Sequence, residues 1–186
     1  MRNIILSLIV VLMLAGVAGY AQEPSDAESL AQLKRESRIF ESIVREVLQQ
    51  QFNHPYAIAG EPKATYLEGY GVSLSFHLRI NRGTIRTFYR EVESPLVNAP
   101  GTKSKQLQTV RSTMIDTLAN FGGTLKEIDS GERIAICAHV EDRNELDQSK
   151  NRLIIVLSAK KSDIDQYVTK TITMADFKKR VDVVEY

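Results

Sequence analysis

The chain has 186 residues, 25% of them charged, with a formal net charge of +1 and one cysteine, Cys137. A balance this close to neutral gives no global drive toward nucleic acid or an anionic membrane. A single cysteine excludes an internal disulfide framework, and the length suits one domain with its own core.

Met1-Arg2-Asn3 is a short positive opening, Ile4 to Ala18 is almost wholly apolar, and Gly19 and Ala21 stand three residues and one residue before a potential cleavage point. This pattern reads as a secretory signal peptide, residues 1–21, cut after Ala21. An uncleaved anchor is the alternative, but the run falls short of the roughly 20 residues a membrane span needs. No later run is long and apolar enough to cross a membrane. Residues 22–186 are therefore expected as one exported domain, periplasmic or extracellular, with no span after cleavage.

Gln22 to Glu28 is polar and reads as a tail, and Ser25-Asp26-Ala27-Glu28 has the capping-box form. A helix over 26–51 follows, with Leu30, Leu33, Phe40, Ile43, Val44, Val47 and Leu48 recurring at three and four residues. The series Leu30, Leu33, Ser37, Phe40, Val44, Val47 also mimics heptads, so a coiled-coil seam stands beside docking on the chain's own sheet, the favoured reading. Asn53-His54-Pro55 ends this helix.

The next element is a strand over 65–82. Val72, Leu74, Phe76, Leu78 and Ile80 alternate with Ser73, Ser75, His77 and Arg79, the period-two pattern of a strand with one buried face. Upstream the phase breaks, since Leu67 has the wrong parity and Glu68 the right one. A glycine bulge at Gly69–Gly71 repairs it, keeping Leu67 on the face of Val72 and requiring positive φ at one glycine. The bulge either lets the strand bend or aims Tyr66, Glu68 and Tyr70 at a ligand.

Residues 83–105 give no clear element, although Arg79 to Arg111 is rich in basic residues. A second amphipathic helix over 104–121 carries Leu107, Val110, Met114, Leu118 and Phe121, and Gly122-Gly123 stops it. A strand over 132–140, a polar hairpin loop and a strand over 152–159 come next. The run Leu153 to Leu157 is apolar at every position, which predicts a central strand buried on both faces. Helical structure is expected over 162–181, with Ser162 and Thr173 as hydroxyl caps, and Asp182 to Tyr186 reads as an edge strand. A right-handed crossover through the second helix makes the first two strands parallel neighbours. The expected fold is an α+β two-layer sandwich, a mixed sheet covered by amphipathic helices.

The sequence has no Gly-x-Ser-x-Gly elbow, P-loop, dinucleotide fingerprint, paired Cys-x-x-Cys or His-Glu-x-x-His, and no cofactor is expected. Two constellations stand out. Tyr66, Glu68 and Tyr70 are candidate binding residues for a sugar or peptide. His77, Cys137 and His139 fall on the less apolar faces of two strands expected to be neighbours, and thiolate plus imidazole suit zinc or copper. Simple packing is the favoured reading of all three.

Tyr66-Leu67-Glu68-Gly69-Tyr70-Gly71, followed by alternating apolar residues, resembles a strand motif of a family of uncharacterised secreted bacterial proteins. Phe121-Gly122-Gly123-Thr124-Leu125, Gly131-Glu132-Arg133 and the ending Phe177 to Tyr186 fit the same pattern. The resemblance covers most of the chain after the leader. That family has no established activity, so the resemblance implies bacterial origin and export without implying chemistry. The expectation is an exported envelope protein acting as a non-enzymatic interaction or regulatory domain, with helix 26–51 as the surface for a protein partner and no nucleic acid. A binding module for a small ligand or envelope polymer, using Tyr66 to Tyr70, is the alternative, and a thiol- or metal-dependent enzyme ranks below both.

Overall fold

The computed structural model describes residues 26–53, 56–80, 84–86, 91–93, 102–142 and 152–186. The expected signal peptide, its cleavage site, the Ser25 cap and most of the basic stretch after Ile80 lie outside these residues. The chain divides into two compact units, Met1–Ala31 and Gln32–Tyr186. Of the first, the described part is the opening of helix α1 (Asp26–Gln51).

The fold is α+β, as the sequence predicts. In the second unit one five-stranded mixed sheet runs β1 (Ala57–Leu67), β2 (Gly71–Ile80), β5 (Arg133–Asp142), β6 (Arg152–Lys160) and β7 (Asp182–Glu185) from edge to edge. A separate small hairpin joins β3 (Thr84–Arg86) and β4 (Glu91–Glu93). The strands β2 and β5 are parallel, linked through helix α2 (Thr102–Phe121), and every other pairing in the five-stranded sheet is antiparallel.

The single strand expected over 65–82 is two strands. The chain reverses at Glu68-Gly69-Tyr70, pairing Leu67 with Gly71 and Tyr66 with Val72. The Tyr70 amide donates to the Leu67 carbonyl at 3.0 Å and closes the turn. Gly69 and Gly71 have φ of +75° and +117°, the left-handed conformation expected of a glycine here, but they serve a reversal and not a bulge. Reversal also explains the phase error. Tyr66, not Leu67, shares the face of Val72, and Leu67 is half exposed on the other side. The true irregularity of β1 lies between Ala59 and Lys63, at Gly60-Glu61-Pro62.

One face of this sheet, the front, carries the core. Val72, Leu74, Phe76, Leu78 and Ile80 of β2 stand beside Ile134, Ile136, Ala138 and Val140 of β5 and Ile155, Leu157 and Ala159 of β6, all buried in one cluster. Helix α1 adds Leu33, Phe40, Val44 and Leu48, and α2 adds Val110, Met114 and Leu118. The stripe of α1 is thus consumed by the chain's own core, in keeping with the docking alternative to a heptad seam. Ile164 of helix α3 (Lys161–Val168) and Phe177 of helix α4 (Met174–Arg180) complete the layer. The helical region expected over 162–181 is broken between these two helices by Lys170, at φ +60°. Thr173 caps α4 by accepting from the Asp176 amide at 3.2 Å, but Ser162 does not cap α3, which begins one residue earlier after Lys160.

The strand β6 is not buried on both faces. Ile154 and Val156 are partly exposed on the back of the sheet, and β5 is the middle strand of the five. The apolar run therefore has a cause other than burial.

Polar contacts join α1 to the elements it packs against, among them an ion pair of Arg45 with Glu61 of β1 at 2.8 Å. Glu36, 4% exposed, accepts from the backbone amides of Lys126 and Glu127 at 2.7 and 3.1 Å, and Gln32 donates to its other oxygen at 3.3 Å. Glu41 accepts from the Ala64 amide of β1 at 2.8 Å. Burying a carboxyl group is tolerable because its acceptor capacity is used.

Glu36→Ala is expected to destabilise by about 2–4 kcal/mol, because two backbone donors lose their acceptor. Glu36→Gln should cost clearly less, since an amide oxygen can still accept. Urea unfolding of both variants checks this, and equal losses would contradict it. For the hairpin, a β-carbon at Gly71 would overlap the Arg133 backbone, whereas one at Gly69 meets nothing within 4 Å. Gly69→Ala is therefore expected to cost about 1 kcal/mol from positive φ alone, and Gly71→Ala substantially more. Equal midpoints for the two alanine variants would refute the difference.

Candidate functional site

The back of the sheet is the surface that the described helices leave uncovered. All the buried apolar helix side chains belong to the front cluster, and no back-face residue of β2, β5 or β6 does. Strand register lays the back out in rows. One runs Ala59, His77, His139, Ile154; the next runs Lys63, Ser75, Cys137, Val156, Val184. Tyr186 closes the first row, exchanging backbone hydrogen bonds with Ile154 at 2.8 and 3.1 Å.

The structure brings His77, Cys137 and His139 together, as strand adjacency predicts. Parallel register sets His77 directly beside His139, and their rings stack with centroids 4.7 Å apart and planes at 19°. Two residues along the same strand, Cys137 Sγ lies 3.6 Å from His139 Nε2. That distance suits a weak thiol–imidazole hydrogen bond, whose donor depends on the ring tautomer.

The electrostatics favour neutral groups. Burial pushes the Cys137 thiol above its ordinary range, so it remains a thiol at neutral pH. Burial, and secondarily the neighbouring His77, lowers the affinity of His139 for a proton. A neutral thiol beside a neutral imidazole is not the ion pair that activates a nucleophile. In near-parallel stacked rings the nitrogen lone pairs lie in separate planes and do not converge. Among the described residues, no group of three or more His, Cys, Asp or Glu is arranged to hold a metal ion.

The other expected trio lies at the hairpin tip. Tyr66 and Tyr70 are each 37% exposed, and Glu68 is exposed in the turn between them. The Tyr66 hydroxyl donates to Glu132 Oε1 at 3.1 Å, which ties the tip to the turn before β5.

The ends of the back face are charged. At one end Arg79 Nε donates to Glu141 at 2.9 Å, and Arg152 of β6 pairs in register with Glu141. At the other, Arg133 reaches across β6, donating to Ser158 Oγ at 3.0 Å and to Asp182 of β7. Sequence reasoning identified the centre of this face but not the face itself. The available signal was the apolar parity of Ile154 and Val156, which reads as burial when no neighbouring strand is known.

A depressed histidine gives a testable pH dependence. The folded state disfavours protonated His139 relative to the unfolded chain, so the associated stability is fully present above about pH 6.5, the unperturbed value. It is lost as pH falls through the lower folded value. Between pH 7 and 5 the urea midpoint of the wild type should drop, and His139→Asn should drop less. Identical drops would show that His139 does not contribute.

No family model, curated protein or solved structure matches the chain.

Proposed function

We propose that this is an exported bacterial envelope protein whose domain is a non-enzymatic interaction module, docking a protein partner on the back of its sheet. The observation that carries this reading is the layout of that face. His77, Cys137, His139, Ile154, Val156, Val184 and Tyr186 form a weakly polar centre, and charged side chains occupy both strand ends. A charge-depleted centre inside a polar rim is the anatomy of protein interfaces. Val184 and Tyr186 are 54% and 70% exposed, apolar surface without a partner among the described residues. The leader-like residues 1–21 and the resemblance to secreted bacterial proteins support export. Helix 26–51 suits a partner less well, because its apolar stripe serves the core and leaves Leu30 and Ile39 as separated exposed residues.

A second reading is a small-ligand or polymer module at the hairpin tip, where Tyr66 and Tyr70 flank Glu68 in the open. A thiol- or metal-dependent enzyme has less support, since Cys137 is held as a neutral thiol.

The test is site-specific photo-crosslinking of the full chain expressed in a bacterium, with the crosslinker at Val156, Tyr70 or Ile39 in turn. An adduct at Val156 that disappears with Val184→Asp, and is absent at Ile39, is the expected result. Adducts at Ile39 alone would return the partner surface to the helix, and adducts at Tyr70 alone would favour the hairpin. Sequencing the mature N-terminus should begin at Gln22, and recovery of Met1-initiated protein in membranes would contradict cleavage.

A further inference from the structure

We propose that the partner segment is acidic at both ends and apolar in its middle, and that it lies along β6 and β7 on the back of the sheet. This rests on the docking reading above and adds the chemistry of the partner.

Along β6 the back-face residues are Arg152, Ile154, Val156, Ser158 and Lys160. The order is cation, apolar, apolar, hydroxyl, cation. Arg152 and Lys160 are exposed, and neither makes an ion pair among the described residues. Beside them the two carboxylates of the face are already engaged, Glu141 by Arg79 and Asp182 by Arg133. Lys63 of β1 is a further exposed cation on the same face. The chain as a whole is close to neutral, yet this surface carries five cations against two carboxylates, leaving Arg152 and Lys160 at the two ends of β6 and Lys63 on the edge strand β1 without an ion pair among the described residues.

Spacing sets the class of ligand. Eight residues of strand separate Arg152 from Lys160, about 26 Å at 3.3 Å per residue. That exceeds the Debye length of about 8–10 Å at physiological salt, so the two cations act as separate anchors. Ile154 and Val156, joined by Val184 and Tyr186 of β7, fill the gap. A polyanion such as polyphosphate would lay charge across this apolar stretch and lose its hydration there. A segment with carboxylates about 26 Å apart and apolar residues between satisfies both ends and the middle. As a helix it has roughly 17 residues at 1.5 Å each.

The experiment uses the full chain and two synthetic helical peptides of about 17 residues. Both have the same apolar stripe; one carries glutamates at each end and the other lysines. Binding is read by fluorescence anisotropy at low and high salt. The glutamate peptide should bind and weaken with salt. Its Kd should rise about tenfold or more in Arg152→Glu/Lys160→Glu, where two attractions become repulsions. Both positions are exposed, so the variant's melting curve should stay unchanged. Equal or tighter binding of the lysine peptide, an unchanged Kd in the double variant, or no binding of the glutamate peptide would overturn the proposal. So would tighter binding of polyphosphate or of anionic vesicles than of the glutamate peptide. Val156→Asp separates the two levels. If it abolishes binding of both peptides while charge makes no difference, the docking face stands and the acidic partner falls. If it leaves binding intact, the docking face itself falls.

Discussion

The parallel pairing of β2 with β5 is the constraint on which the structure depends. Side chains alternate faces along a strand, so register decides which residues meet the helices. Here Val72 pairs with Ile134, Leu74 with Ile136 and Phe76 with Ala138, and all of these point to the front. A slip by one residue would send Ser73, Ser75 and His77 into the core. The register is fixed at the start of the ladder, where the Arg133 amide donates to the Tyr70 carbonyl at 2.7 Å and Gly71 lies against the Arg133 backbone. Only a glycine permits that approach, so the hairpin turn and the parallel ladder are one construction.

Once the front is set, the helices have one place to go. The stripe of α1 meets the cluster through Phe40, Val44 and Leu48, and Glu36 is buried with it. A lone buried carboxyl would oppose docking, but the amides of Lys126 and Glu127 turn it into a directional contact. Apolar area drives the association, and the hydrogen bonds select the position of the helix along the sheet. The same division of labour holds at the far edge, where Arg111 of α2 clamps Glu185 of β7 through Nε and one Nη of its guanidinium group.

The alternation of β2, the amphipathic helices and the parallel crossover were legible because each depends on local periodicity. The hairpin was not. A bulge and a reversal both account for a one-residue phase error beside two glycines, and the choice depends on whether a strand precedes them. The preceding segment, Ala57 to Ala64, hides its strand character, because Gly60, Glu61 and Pro62 interrupt any alternation. The adjacency of His77 and His139 was legible as a consequence of strand order, but their stacking was not. Ring orientation is set by side-chain contacts across and along the strands, such as His77 with His139 and Cys137 with His139, which a linear pattern does not encode.

The misreading of β6 points to the functional surface. A strand with apolar residues on both parities is ordinarily sandwiched between two layers. Here the front parity, Ile155 and Leu157, is buried by helices, while the back parity, Ile154 and Val156, remains partly exposed. Conformational preference alone does not account for apolar residues there, because threonine or tyrosine would serve a strand equally well. Nor is the whole back face apolar, since β2 presents Ser73, Ser75, His77 and Arg79 on the same side. The apolar residues cluster on β6 and β7, between Arg152 and Lys160, with Leu67 of β1 set apart at the hairpin end of the opposite edge. The mismatch between pattern and burial is thus local and bounded by charge, which is why the partner surface is assigned to this part of the sheet and not to its full width.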